Sequence, residues 1–97
     1  MSGLAIRWTR RAVRRLDQIG AHIARDNPAA AARTVARLLA AADALAARPA
    51  MGRPGRLKGT RELVVPGLPY IVAYRVTASG VDLLTIMHTA QQWPDAL

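Results

Sequence analysis

The chain has 97 residues and no cysteine, which excludes a disulfide framework and thiolate metal ligation, and its length predicts a single small domain, residues 1–97, with a core thin enough to gain from a permanent partner. Lys and Arg number 14 against 6 acids, a net charge of +8, which favours anionic partners without choosing among nucleic acid, an acidic protein segment and anionic lipid. Apolar runs stop well short of the ~18 residues a membrane span needs and the N-terminus lacks a signal-peptide pattern, so a cytoplasmic protein without membrane contact is expected.

Leu4 to Trp8 is a short apolar run in which Ile6 and Trp8 alternate about Arg7, the pattern of a first strand. Thr9 stands where a helix N-cap belongs. From Arg10 to Arg25, Val13, Leu16, Ile19 and Ile23 recur at helical spacing while Arg11, Arg15, Gln18, His22 and Arg25 fall on the other side. This predicts an amphipathic helix with a basic outer face, on which His22 is solvated surface. "DNP", Asp26 to Pro28, closes it and starts another, because Asn27 can cap orphan amides and Pro28 suits a first helical position. The second helix is expected from Pro28 to Arg48, with Val35, Leu38, Ala42 and Leu45 on one stripe. Its alanines favour helix but bury little area, so the helical hairpin should be thinly held.

"RPAMGRPGR" then ends the helical period. Leu57 to Val65, Tyr70 to Thr77 and Val81 to His88 read as three strands joined by "PGLP" and "ASG", lengths that suit successive hairpins. The expected fold is α+β: an N-terminal strand, a helical hairpin, then a three-stranded antiparallel meander, with the helices supplying the crossover that lets the first strand lie parallel to one of the others. Thr89 to Leu97 reads as a tail in which Trp93, before Pro94, covers one end of the core.

Few residues can carry chemistry. The two histidines are far apart in sequence and the acids are scattered, so no metal or cofactor site is expected. "GRPGR", which ends at Arg56, joins a helix to a strand, the reverse of the order that sets a phosphate on a helix N-terminus. Ser2 and Ser79 lack a histidine at suggestive spacing. The remainder is cationic: "LKGTREL" carries Lys58 and Arg61 with Glu62 into the sheet, Arg75 lies on the next strand, and His88 ends the last. Alternation sets Arg61 with Leu63 and Val65, and Glu62 with Val64 on the other face. Two readings compete. The arginine stems cover the rim of the sheet, or Lys58, Arg61, Arg75 and His88 converge on an anion and stabilise the charge formed when a phosphodiester is attacked by its own 2′-hydroxyl, with His88 moving the proton.

The segments "NPAAAARTVARLLAAADALAARPAMGRP", "GTRELVVPGLPYIVAYRV" and "VDLLTIMHTAQQWP", in this order and over almost the whole chain, resemble the ParE/RelE superfamily of toxins from bacterial type II toxin-antitoxin modules. The resemblance implies a small basic toxin, a hetero-oligomer with a cognate antitoxin whose acidic C-terminal segment wraps it. Arg56, Lys58, Arg61, Arg75 and His88 are then the candidate contacts to that partner. Two activities follow from the family. ParE-like members poison DNA gyrase without catalysis, and the long second helix with its "RPAMGRP" loop looks like theirs. RelE-like members are endoribonucleases that cut mRNA on the ribosome; in that case Arg61 would match their basic central-strand residue and His88 their base, although no tyrosine follows His88. A plain nucleic-acid-binding module is a third reading, weakened by the few aromatics.

Overall fold

A computed structural model describes residues 3–90. The elements are β1 (Ala5–Trp8), α1 (Arg10–Ala24), α2 (Pro28–Ala44), β2 (Arg53–Pro54), β3 (Arg61–Val64), β4 (Tyr70–Thr77) and β5 (Gly80–His88). They form one sheet in the order β1-β5-β4-β3-β2. As expected, β1 runs parallel to β5, while β3, β4 and β5 make the antiparallel meander. The architecture is the α+β one read from the sequence, with one strand more.

The helix starts follow from their caps. The Thr9 side chain accepts from the Ala12 amide at 3.2 Å, and the Asn27 side chain from the Ala30 amide at 3.0 Å with Pro28 at the first position. Each cap satisfies an amide that the first turn leaves without a partner. The helix α2 stops at Ala44, short of the expected Arg48. Beyond it the chain tightens into three-residue turns, the Leu45 amide donating to the Ala42 carbonyl and the Ala46 amide to the Asp43 carbonyl at 3.1 Å each, and the Ala46 carbonyl accepts from the Leu4 amide at 2.9 Å, which ties the end of the hairpin to the start of the sheet.

The core lies between the helices and one face of the sheet. Ala12 and Ile19 of α1, Leu38 and Ala42 of α2, and Leu45 just beyond it pack on Leu63, Val65, Val72, Tyr74, Val81, Leu83 and Ile86. Val13 was expected on this stripe but is 44% exposed, its place being taken by Ala12. Full burial of a Leu or Ile contributes about 1.5–3 kcal/mol, so Ile19, Leu38 and Leu45 carry most of what the hairpin gains from the sheet, while its alanines add little. A Cβ on Gly20 would lie 3.1 Å from Val35 Cγ2, the close approach that lets α1 and α2 pack.

Three features depart from the sequence reading. The loop "RPAMGRPGR" contributes a two-residue strand, β2, paired antiparallel with β3. The strand expected from Leu57 begins only at Arg61, because Leu57 to Thr60 form a turn in which the Thr60 hydroxyl donates to the Leu57 carbonyl at 2.6 Å and Gly59 takes a φ of +79. That φ suits glycine, which has no Cβ to clash there. Lastly, Ala73 pairs with Thr85 and Tyr74 with Leu83, so Leu84 is an extra residue, a bulge. It lets both Leu83 and Ile86 face the helices. The Thr9 hydroxyl donates at this point, 2.7 Å from the Leu83 carbonyl, so the α1 cap and the bulge stabilise each other. Trp93 and the rest of the expected tail after Ala90 lie outside the described residues.

Candidate partner and anion site

Two of the three charges of "LKGTREL", Arg61 and Glu62, have partners that the sequence does not reveal. Glu62 is 3% exposed. Its Oε1 accepts from Arg53 Nη2 at 3.1 Å, and its Oε2 accepts from the Arg56 amide at 2.8 Å with the Arg56 Nε 4.0 Å away. Arg53 is Glu62's neighbour across the β2–β3 pair, so the short strand exists where it can cover a buried carboxylate. A buried acid needs such donors, since each lone pair left without one would cost the full desolvation of that group. Arg56 is therefore tied to Glu62 while staying half exposed.

Arg61 faces the same side as Tyr74, its partner in the β3–β4 register. Its Nη1 donates to the Gly52 carbonyl at 2.8 Å. The Tyr74 hydroxyl accepts from the Gly52 amide at 2.8 Å and donates to the Pro49 carbonyl at 2.7 Å. Burial pushes the Tyr74 phenol above its usual 10.0, opposed by the Gly52 hydrogen bond and the Arg61 charge. Lys58 stands apart, exposed in the turn before β3.

Arg75 points the other way. It is exposed on β4, level with Asp82 of β5, and Asp82 is in turn level with Arg7 of β1. Arg7 Nε donates to Asp82 Oδ1 at 2.6 Å and Arg7 Nη2 to the Thr77 hydroxyl at 2.9 Å. Alternation along β4 sets Arg75 on the face opposite to Tyr74, and so opposite to Arg61.

His88 lies elsewhere again. It pairs with Tyr70, their rings meeting edge to face at 5.5 Å, and its Nδ1 accepts from the Ala90 amide at 3.1 Å. Together with Arg15, Gln18, Ile19 and His22 of α1, the two rings line an open cleft of ≈ 500 Å³. The structure thus does not bring Lys58, Arg61, Arg75 and His88 to one point. Instead it gathers His88 with Arg15 and His22, the latter expected only as solvated surface. The signal was present: Arg15, Gln18 and His22 follow at three- and four-residue steps on α1, but nothing in the sequence says that the end of β5 lies beside them.

Among the described residues, no group of three or more His, Cys, Asp or Glu is placed to hold a metal ion. No helix among them is long and apolar enough to cross a membrane.

The family model of the ParE toxin of type II toxin-antitoxin systems, parDE, matches residues 6–93. A protein of Sinorhizobium fredii that carries the toxin name Y4kP is 60% identical over 97 residues, covering 100% of both chains. Toxin RelE2 of Caulobacter vibrioides is 38% identical over 84 residues, 87% of this chain and 93% of the other. Among solved structures, the chromosomal ParDE toxin-antitoxin system from P. aeruginosa superposes with a TM-score of 0.81 at 27% identity, over 88% of this chain and 95% of that one. The toxin-antitoxin complex RelBE2 from Mycobacterium tuberculosis reaches a TM-score of 0.65 at 24% identity, over 94% and 97% of the two chains, and shares the fold.

Proposed function

The chain belongs to the ParE toxin family of type II toxin-antitoxin systems, and from that premise we propose that it is held inactive by a cognate antitoxin with an acidic segment and, when released, poisons DNA gyrase without chemistry of its own. The observation that carries this reading is the separation of Arg61 from His88. Arg61 is level with Tyr74 on β3 and His88 with Tyr70 on β5. Four residue steps and two strand spacings make roughly 13 Å along the sheet and roughly 10 Å across it. Cleavage of a phosphodiester needs its proton carrier and its charge-stabilising donor within hydrogen-bond reach of one phosphate. Arg61 is moreover engaged by the Gly52 carbonyl, and Arg75 lies on the other face. The net charge of +8 and the likeness to the toxin of a ParDE system support the acidic antitoxin.

The test is a supercoiling reaction with purified gyrase. Excess toxin should accumulate cleaved DNA complexes, and normal supercoiling would overturn the proposal. A second reading, RelE-like cleavage of mRNA on the ribosome, is favoured by His88 opening on a cleft beside Arg15 and His22 and by the relative named RelE2. It requires rapid mRNA loss after induction, and loss of that effect in His88→Ala. Intact mRNA in growth-arrested cells would remove it.

A further inference from the structure

The start of α1 is charged against its own helix. Four of its first six residues are arginines, Arg10, Arg11, Arg14 and Arg15, and its first turn has no acid. The macrodipole is positive at that end, which disfavours Arg10 and Arg11, and each is followed four residues on by a like charge. A segment that breaks a local rule without a gain inside the fold points to a gain outside it. Arg15 has its gain inside, where its Nε donates to the Ile86 carbonyl at 3.0 Å. Arg10, Arg11 and Arg14 are exposed, and none of the three has a hydrogen bond or ion pair from its side chain among the described residues.

These three point away from the core. Arg10 and Arg14 each lie two residues from Ala12, which is fully buried, and at 100° per residue that sets both ~160° from it round the axis. Arg11 stands on the flank, ~100° from Ala12, and Arg10 and Arg14 are roughly 6 Å apart along the helix. What is offered is side-chain charge, since the Thr9 side chain already accepts from the Ala12 amide at 3.2 Å.

Anionic partners differ in what else they need. An acidic peptide or an anionic bilayer needs an apolar surface to seat it. The apolar face of α1 is packed on the sheet, and Val13, 44% exposed, is the one exposed large apolar residue of the helix. Single-stranded nucleic acid needs aromatic rings to stack on, but Tyr70 and Tyr74 are buried and Trp8 packs against the core. The phosphate backbone of a duplex needs neither, only cations on a rigid element.

We infer that Arg10, Arg11 and Arg14 form a surface that binds the phosphate backbone of duplex DNA without regard to sequence. That the duplex is the segment on which gyrase acts rests on the function proposed above; the binding itself does not.

The test is titration of a fluorescent duplex of about twenty base pairs with purified toxin, read by anisotropy over a salt series. Three neutralised phosphates give a slope of log K against log salt of about −2.7, so a rise from about 50 to about 200 mM salt should weaken binding about fortyfold. Each of Arg10→Ala, Arg11→Ala and Arg14→Ala should reduce the magnitude of the slope by about 0.9, and the loss over that salt range to about twelvefold. Arg33→Ala should leave the slope unchanged. Arg33 is exposed on α2, level with the far end of α1 because Gly20 meets Val35.

Removing an exposed acid should have the opposite sign. Asp17→Asn, roughly 4.5 Å along the helix from Arg14, should tighten binding about twofold, whereas Asp26→Asn, roughly 18 Å away and beyond the Debye length of ~10 Å, should not. Because the arginines oppose the helix, their alanine variants should unfold at a higher temperature than the wild type; a lower one would make them structural and tell against the inference. Equal slopes in all variants would overturn it, as would an absence of duplex binding, or decauridylate that displaces the duplex as well as unlabelled duplex does at equal phosphate. Binding as described with gyrase unaffected removes the gyrase target and leaves the surface standing. Gyrase poisoned without duplex binding removes the surface alone.

Discussion

Arg61 and Tyr74 hold one residue from both of its polar ends: Arg61 donates to the Gly52 carbonyl and Tyr74 accepts from the Gly52 amide, each at 2.8 Å. The two side chains stand opposite each other in the β3–β4 register. Through them the loop that leaves α2 is fastened to the sheet, with a further tie from the Tyr74 hydroxyl to the Pro49 carbonyl. A Cβ on Gly52 would sit 2.6 Å from the Tyr74 hydroxyl and 2.9 Å from the Glu62 carbonyl. The second of these is backbone and cannot swing aside. Gly52→Ala should therefore lower stability by about 1–3 kcal/mol, the usual scale of an overpacked site. Urea unfolding measures it, and a midpoint equal to the wild type would show that the loop is not held as described.

Tyr74 also gives stability a pH dependence. Burial raises its phenol above the 10.0 of the unfolded chain. The folded state then keeps its proton where the unfolded state has lost it, so the contribution is complete below pH 10 and is lost as pH rises through the folded value. Tyr74→Phe removes two hydrogen bonds, leaves the Gly52 amide without its acceptor and should cost about 1–3 kcal/mol at neutral pH. It should also flatten the decline in alkali. Unfolding midpoints at about pH 8 and about pH 11 test this, because the gap between wild type and variant should narrow at the higher value. A constant gap would separate the titration from Tyr74.

Glu62 is the buried member of the β2–β3 ion pair, 3% exposed against 54% for Arg53. The two partners should respond unequally. Glu62→Ala strips the Arg56 amide and Arg53 of their acceptor and should cost about 1–3 kcal/mol, whereas Arg53→Ala removes a half-exposed partner and should cost under about 1 kcal/mol. Denaturation of the two variants side by side checks the asymmetry. Equal losses would mean that the pair acts as a unit and that exposure does not weaken Arg53.

The helices and the meander were legible because their signals are local. Thr9, Asn27 and Pro28 mark helix starts by their own chemistry, and Tyr70 to Thr77 is bounded by turn residues on both sides. The strand Arg53–Pro54 carries no such signal: it is two residues long, contains a proline and exists through its pairing with Arg61 and Glu62 across the turn that follows it. The bulge at Leu84 is invisible because an extra residue changes register without changing composition. The same holds for the candidate site. Alternation shows which neighbours share a strand face, but whether Arg61 and Arg75 lie on one side of the sheet depends on the register between β3 and β4. His22 and His88 line one cleft only because α1 packs beside the end of β5, a tertiary fact that helical periodicity cannot contain.

Arg61 now has a structural duty that bears on any test of toxicity. Its hydrogen bond to the Gly52 carbonyl is charge-assisted and half buried, so Arg61→Ala should cost about 1–3 kcal/mol. Arg61→Lys should recover only part of it, since an ammonium lacks the planar fork of the guanidinium. For a small domain with a thin core such a loss populates the unfolded state appreciably, and growth arrest should fall in step with the folded fraction as temperature rises. Growth curves after induction, paired with thermal unfolding of the same variants, separate two outcomes. If arrest tracks folding across temperature, Arg61 acts through the Pro49 to Gly52 loop. Arrest abolished at a temperature where Arg61→Ala is fully folded would instead place the guanidinium against the target.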